Sequence, residues 1–406
     1  MHRRCRLFGM ILQKSVRRAP IRSLPAFLAA GIAIAQPSDQ KTPSAEDPAY
    51  IVANASQPIK CSKSHFKPRL DFHFRFFTGY TIDIPLKQLV APRNVFEVVL
   101  DVRPLSAPEE KPFLYRDYLR IGPVEKGLRG EVSLSGSFVV GEGEYQVVWY
   151  IKDRYGRGCS VDWTIEAKLP RRQQDIKLSM EPGEIDSSYT NLFGHERNIR
   201  DRQGPGYRVK VMASFDSPRR RRQAILHIGD ILPVLAALRA LARDPRFVEF
   251  SVLAYSVEDQ AVLLRQDFED WIDFPALGDA VKKLSPATVG FDQLGENKDR
   301  DFLADLIVGE LEKTDDVDAL IFLGADSLLF ERIPKELLEG IGNRDYPVYF
   351  LKTAWLPWSG ATSDAVKKLK GKIYQFRTPK DLSESIEKMA EDMQRREGLG
   401  RVEATQ

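Results

Sequence analysis

Cysteine is scarce in this sequence. There are three in 406 residues, Cys5, Cys61 and Cys159, too few for a zinc ribbon or a multi-bridge secreted scaffold. Histidine is as rare, and His65, His73, His195 and His227 lie far apart rather than at metal-ligand spacing. Past residue 35 no apolar run approaches the roughly 20 residues that cross a bilayer. Also missing are the Gly-x-Ser-x-Gly nucleophile turn, the Gly-x-x-x-x-Gly-Lys phosphate loop and a Gly-x-Gly-x-x-Gly after a strand-like run, which removes the commonest signatures of hydrolase, nucleotidase and dehydrogenase sites. Carboxylate pairs such as Asp315-Asp316 fall in polar turns. What is present is a real core: 43% hydrophobic and 10% aromatic residues exclude disorder along the whole length. The length is too great for one ordinary domain and suits two.

The formal charge of +3 is unevenly placed. Met1–Ala35 carries Arg3, Arg4, Arg6, Lys14, Arg17, Arg18 and Arg22 with no acid. Without these seven, the 60 basic residues fall below the 57 acidic ones, so general nucleic-acid binding loses its electrostatic footing. A cationic stretch, an apolar block over Leu24–Ala35 and the small-x-small end Ala33-Ile34-Ala35 form the pattern of a secretory signal peptide, with cleavage expected before Gln36. An Arg-rich organelle-targeting peptide is the alternative. Arg17-Arg18 hints at twin-arginine export without support from the residues that follow, and Cys5 lies too early for a lipid anchor. The expected location is secreted or periplasmic. Cys61 and Cys159 then form an even pair in an exported chain, which reads as a disulfide across one strand-rich segment, against two buried free thiols.

Residues 36–57, rich in Pro, Ser, Thr and Ala, are expected to be a flexible segment, with Asn54-Ala55-Ser56 as a glycosylation sequon in a host that uses one. From 58 to 168 the pattern is strand-like. Leu70, Phe72, Phe74 and Phe76 alternate with polar residues, then Tyr80, Ile82 and Ile84, and Val95–Leu100 follows. Glu131–Val140 and Tyr145–Lys152 flank the turn Gly141-Glu142-Gly143, and Ser160–Lys168 carries Val161, Trp163 and Ile165 on one face. Seven or so short strands without helical periodicity predict an immunoglobulin-like β-sandwich with Trp149 and Trp163 in its core.

Residues 169–206 read as a polar linker, with one short strand at Ile176–Met180 and the His195-Glu196 region on its surface. From 207 strands alternate with helices. Tyr207–Ser214 is strand-like, and Asp230 is placed to cap a helix with Ile231, Leu235, Leu238 and Leu241 inward, Pro233 in its first turn and Arg239, Arg243 and Pro245 at its end. Phe247–Tyr255, Ala261–Arg265, Asp318–Gly324, Val348–Lys352 and Lys372–Phe376 read as strands. Helices are expected over Phe274–Leu284, Asp301–Lys313, Pro334–Ile341, Asp364–Leu369 and Asp381–Arg396, and residues 398–406 as a flexible tail. Such alternation predicts a doubly wound, Rossmann-like α/β sheet over 207–397.

The order strand, helix, two strands joined by a short turn, two helical segments and three strand–helix units resembles a von Willebrand factor A-type domain. Val209–Ser214 resembles its first strand, Phe247–Tyr255 its second, and Asp318–Ser327 its fourth, with an aspartate at the strand's end. The whole chain past the leader resembles the secreted VWFA-related proteins of acidobacterial type. The family's metal site uses Asp-x-Ser-x-Ser after the first strand, a threonine on a second loop and an aspartate on a third, hard oxygen ligands suited to Mg²⁺. Here the first strand ends Ala213-Ser214-Phe215-Asp216-Ser217-Pro218, so that spacing is absent. Asp216, Ser217, Thr288 and Asp326 remain as candidate oxygen groups, without a working metal site being expected from them. Arg219, Arg220, Arg221 and Arg222 follow at once and are candidates for binding an anion or an acidic protein face, with a solvated run leading into the next segment as the alternative.

These readings converge on an exported, non-enzymatic binding protein with a protein partner, no cofactor and no catalytic residues. A metal-dependent adhesion module with a rearranged Mg²⁺ site and an α/β hydrolase are the alternatives.

Overall fold

The computed structural model describes residues 57–403 apart from 90–93, 108–111, 123, 125–126, 154, 175, 189–190, 197–205, 217–227, 284–297, 314–315, 328–331, 340–345 and 354–358. The expected leader and most of the segment after it lie outside the described residues. The chain divides into two compact units, Met1–Thr190 and Asn191–Gln406.

The first unit is built from strands β1 (Gln57–Pro58), β2 (Ser62–Leu70), β3 (Phe76–Pro85), β4 (Asn94–Pro104), β5 (Phe113–Ile121), β6 (Glu131–Val140), β7 (Gly143–Asp153), β8 (Arg157–Ala167) and β9 (Ile185–Ser187). They form a five-stranded sheet, β1-β8-β7-β4-β5, and a four-stranded sheet, β2-β3-β6-β9. Apart from the short parallel pair β1–β8, the neighbours are antiparallel. Period-two patterning does what it should. Tyr145, Val147, Trp149 and Ile151 of β7 all point inward and are buried. Tyr80 of β3 meets Trp149 and Trp163 across the gap, at ring separations of 6.3 and 5.8 Å. The two sheets therefore face each other over an aromatic core. The Cys61–Cys159 disulfide joins the entry to β2 with β8, one from each sheet, across 98 residues of sequence.

Two expectations need correction here. The Phe72, Phe74, Phe76 alternation is not one strand. Asp71–Arg75 is the turn between β2 and β3, and Phe74 is buried in it at φ 58°. Asp71 Oδ1 accepts the N–H groups of His73 and Arg75 at 2.8 and 3.1 Å, and the Arg75 guanidinium closes on Oδ2 at 3.0 Å. A turn held by its own side chains can carry aromatic residues at strand-like spacing. The segment 169–206 is also not a simple linker. Ile176 and Met180 are buried outside any strand, and the strand lies at β9, which pairs with β6.

In the second unit the strands are β10 (Tyr207–Ser214), β11 (Phe247–Ser256), β12 (Ala261–Glu269), β13 (Ala319–Gly324), β14 (Val348–Thr353) and β15 (Lys372–Phe376). The helices are α1 (Ile228–Arg243), α2 (Phe274–Val281), α3 (Lys298–Leu311), α4 (Lys335–Glu339), α5 (Ala361–Lys368) and α6 (Pro379–Glu403). The sheet runs β12-β11-β10-β13-β14-β15, parallel except for β12, which returns antiparallel along β11 as an edge hairpin. One layer packs Leu303, Ile307, Leu338, Ala365 and Val366 of α3, α4 and α5 on Met212, Phe322 and Phe350. Helices α1 and α6 pack on β14 and on each other. Helix α1 as described starts at Ile228, so Asp230 lies in its first turn rather than at its cap, and Pro233 lies beyond that turn. Helix α6 runs on to Glu403, through most of the expected tail; residues 404–406 lie outside the described residues.

Buried charges fasten the helices. Glu310 of α3 reaches Lys210 at the sheet's centre, 3.3 Å away with both side chains buried, and also meets Arg265 and Lys313. Glu196 is part of this pattern too. It is not loop surface, since Arg243 Nε donates to it at 2.7 Å and Arg239 completes the clasp; His195 beside it is exposed.

Two outcomes follow for stability. Replacing both Cys61 and Cys159 by Ser should cost about 2–5 kcal/mol in denaturant unfolding, as loss of a bridge closing a long loop does. For Glu310, burial raises the pKa but is outweighed by hydrogen bonds from Lys313 and Arg265 and by their charges with Lys210, leaving it below its usual value of 4.5. Its stabilising share is therefore present above the ordinary glutamate range and lost as pH falls through the depressed folded value. Glu310→Gln should lower stability at neutral pH by about 3–5 kcal/mol and flatten the acid limb of a stability–pH curve.

Candidate functional site

In a doubly wound sheet the crevice for ligands lies beyond the carboxyl ends of the strands, where the order reverses. Here that point falls between β10 and β13, neighbours in the sheet from which successive connections run outward in opposite directions. β13 is apolar and buried along its length, and β10 is buried from Val209 onward with Lys210 as its one charge there, so acidic residues follow only where these strands end. Gly324 closes β13 at φ 127°, and a Cβ there would stand 2.6 Å from the Ser214 carbonyl of β10. Two residues past each of these positions stand Asp216 and Asp326. Both carboxylates lie near the buried Tyr255 phenol, whose pKa is raised first by burial and then by these two charges.

Neither carboxylate is free. Asp216 Oδ1 accepts the N–H groups of Val257 and Glu258 at 2.7 and 3.0 Å, and the Ser214 hydroxyl donates to Oδ2 at 2.7 Å. Ser256 Oγ lies 3.1 Å from Oδ1 and 2.7 Å from Asp259 Oδ2, so its one proton serves one of the two at a time. The carboxyl thus ties the end of β10 to the turn between β11 and β12. Burial is the largest influence on it and raises its pKa, against the lowering effect of these hydrogen bonds.

Asp326 does the same work one strand over. Helix α5 starts after Gly360, which has no side chain with which to cap it. Asp326 supplies the missing cap: Gly360 N–H donates to Oδ2 at 2.8 Å, Ser363 N–H to Oδ1 at 3.0 Å, and the Ser363 hydroxyl also donates to Oδ2. A Cβ on residue 360 would stand 2.7 Å from Asp326 Oδ1, so glycine is what lets the carboxylate in. The next residue continues the pattern, as Ala361 N–H donates to the Ser327 carbonyl at 2.8 Å. On the other side Lys352 of β14 places Nζ 2.8 Å from Oδ2, with both side chains only 3% exposed.

Of the expected site residues, Asp216 and Asp326 are thus brought to one end of the sheet. Ser217, Thr288 and Arg219–Arg222 lie outside the described residues. Among the described residues no group of three or more His, Cys, Asp and Glu side chains converges in a metal-ligand arrangement. A hard divalent cation needs several oxygen ligands. Beside Asp326 Oδ2, however, stands the ammonium of Lys352. Among the described residues, those at Asp326 do not fit the metal site of the resemblance. Lys352, Gly360 and Ser363 were missed by reading the sequence. Lys352 sits in an apolar strand run, Tyr349-Phe350-Leu351-Lys352, and a lysine there is a signal of a buried partner.

No protein-family model matches the chain, and no curated relative matches it. Solved structures do. A DUF4466 family protein from Parabacteroides merdae is 10% identical over 26% of this chain and 44% of its own, with a TM-score of 0.15. A Bacteroides uniformis β-glucuronidase is 8% identical over 77% and 39%, with a TM-score of 0.19. The cytochrome b5 reductase domain of Ulva prolifera nitrate reductase is 9% identical over 78% and 97%, with a TM-score of 0.17. The chain spans less than half the length of the first two. Likenesses this slight carry no argument about fold or activity. Among the described residues no helix is long and apolar enough to cross a membrane.

Truncating Asp216 would leave two buried N–H groups without their acceptor. Asp216→Ala should therefore lower stability by about 2–4 kcal/mol, with faster amide exchange at Val257 and Glu258 as the local readout. Unchanged exchange at those two amides would show that the carboxylate does not hold the turn.

Proposed function

We propose that this is an exported, non-enzymatic binding protein, whose second unit is a von Willebrand A-like module working without a metal and whose first unit is an immunoglobulin-like sandwich. The observation that carries the reading is the sheet order β12-β11-β10-β13-β14-β15 with one antiparallel edge hairpin. This is the arrangement that the order of strands and helices in the sequence implies for such a module. Asp216 and Asp326 stand after adjacent central strands, where that family places ligand-bearing loops, but their oxygens are spent on backbone amides, serine hydroxyls and Lys352. Two carboxylates so engaged serve neither a metal nor general acid–base chemistry, which favours binding over catalysis. The signal-peptide pattern of Met1–Ala35 and the Cys61–Cys159 disulfide support an oxidising, extracytoplasmic location.

The partner is a protein with an acidic face. Arg219–Arg222 follow β10 within a few residues, at its carboxyl end, and guanidinium groups pair with carboxylates in two-pronged fashion. The test is capture of a protein partner from the exported fraction of the producing cells by the full chain past the leader. Capture should persist in excess chelator, and should fall at least about tenfold when the four arginines become glutamate, since each lost pair of charges counts twice under reversal. Capture abolished by chelator would overturn the metal-free reading. Capture unchanged by charge reversal would overturn the arginine contact.

A further inference from the structure

We infer that Lys352 is a built-in replacement for the divalent cation, its ammonium standing at the cation's post against Asp326 so that the loop after β13 and helix α5 are set by the chain itself. The inference rests on the von Willebrand A-like reading above. That reading leaves open how the module keeps the Asp326 loop in place once its metal ligands are gone. The geometry supplies the answer. A buried carboxylate needs a compensating charge. The charge here comes from β14, the next strand along the sheet, where Lys352 is the register partner of Gly324 at the end of β13. Its Nζ lies 2.8 Å from Oδ2, in a pair shut off from water. Asp326 Oδ2 also receives the Ser363 hydroxyl, an oxygen of the kind a hard cation would use, and beside this contact in sequence Thr362 Oγ1 donates to the Ser327 hydroxyl at 3.2 Å. Thr362 and Ser363 are 1% exposed and Ser327 4%, although these are residue types usually left in water. One monovalent cation fixed by a covalent stem therefore stands against the carboxylate oxygen that also receives the Ser363 hydroxyl. The consequence is a module insensitive to chelators and to the metal content of its surroundings, with a partner carboxylate unable to complete a coordination shell at Asp326.

The test removes the lysine in two ways. Lys352→Ala deletes the charge and opens room for an ion with its waters, whereas Lys352→Met deletes the charge and keeps the volume filled. Thermal unfolding of the full chain past the leader is followed after chelator treatment and again in millimolar Mg²⁺ or Mn²⁺. Both variants should melt at least about 6 °C below the parent, as expected when one member of a buried pair is lost. Added metal should return several degrees to Lys352→Ala alone, because an ion bound only by the folded state stabilises it. It should leave Lys352→Met and the parent unmoved. If Lys352→Ala does not fold without metal, its circular dichroism after refolding with and without Mn²⁺ replaces the melt, and folded signal only with the ion supports the inference. Two unrescued variants beside a parent that ignores metal would overturn it, marking Lys352–Asp326 as an ordinary interior ion pair and leaving the metal-free reading intact. A parent that is itself stabilised by the ion, and loses this in Asp326→Ala, would overturn both.

Discussion

One buried carboxylate, Asp326, carries the organisation of the second unit at the carboxyl ends of its central strands. It receives the N–H groups that open α5, the Ser363 hydroxyl and the Lys352 ammonium of β14. Helix α5 has a glycine where a capping side chain would stand, so without Asp326 its first turn would hold unsatisfied donors away from water. Without Lys352 the carboxylate itself would be a charge in a nonpolar interior. Each member of the set is tolerable only because the others are present.

The same logic recurs throughout the chain. Asp216 joins the end of β10 to the β11–β12 turn, Asp71 shapes the β2–β3 turn, and Asp153 takes the N–H groups of Tyr155 and Arg157 between β7 and β8. Glu310 fastens α3 over Lys210, and Asp392 of α6 takes the Tyr349 hydroxyl at 2.8 Å. Carboxylates here act mainly as acceptors for backbone and paired cations at points where a strand or helix ends.

Much of the fold was legible from sequence pattern. The strand-like run at Tyr145–Lys152 after the Gly141-Glu142-Gly143 turn corresponds to β7, and the strand-like runs at Tyr207–Ser214 and Asp318–Gly324 correspond to the central parallel strands β10 and β13. The Phe72–Phe76 alternation misled, because the register of side chains is the same whether the chain runs straight or turns, and only the Asp71 hydrogen bonds decide for a turn. The 169–206 segment misled for a related reason. Polar composition says that a segment has no face of its own to bury, not that it is unpaired, and β9 is recruited by the free edge of β6.

The candidate site was half legible. Asp216 and Asp326 were visible as acidic residues just past strands, since a strand's end is where polar groups reappear. Their partners were not. Lys352 is 26 residues from Asp326 and Gly360 34, and both meet it only because β14 lies beside β13 and α5 returns over them. Sequence by itself indicated most of the strands and helices of the second unit and several strands of the first, because periodicity is a local property of side-chain solubility. It also showed that Met1–Ala35 carries seven basic residues and no acid, and that Cys61 and Cys159 are the two cysteines past that stretch. Tertiary structure alone decided strand order, the partner of every buried charge, and that two acidic loop residues are spent on holding the chain together. Long-range pairing depends on which elements become neighbours, and no window of sequence contains that information.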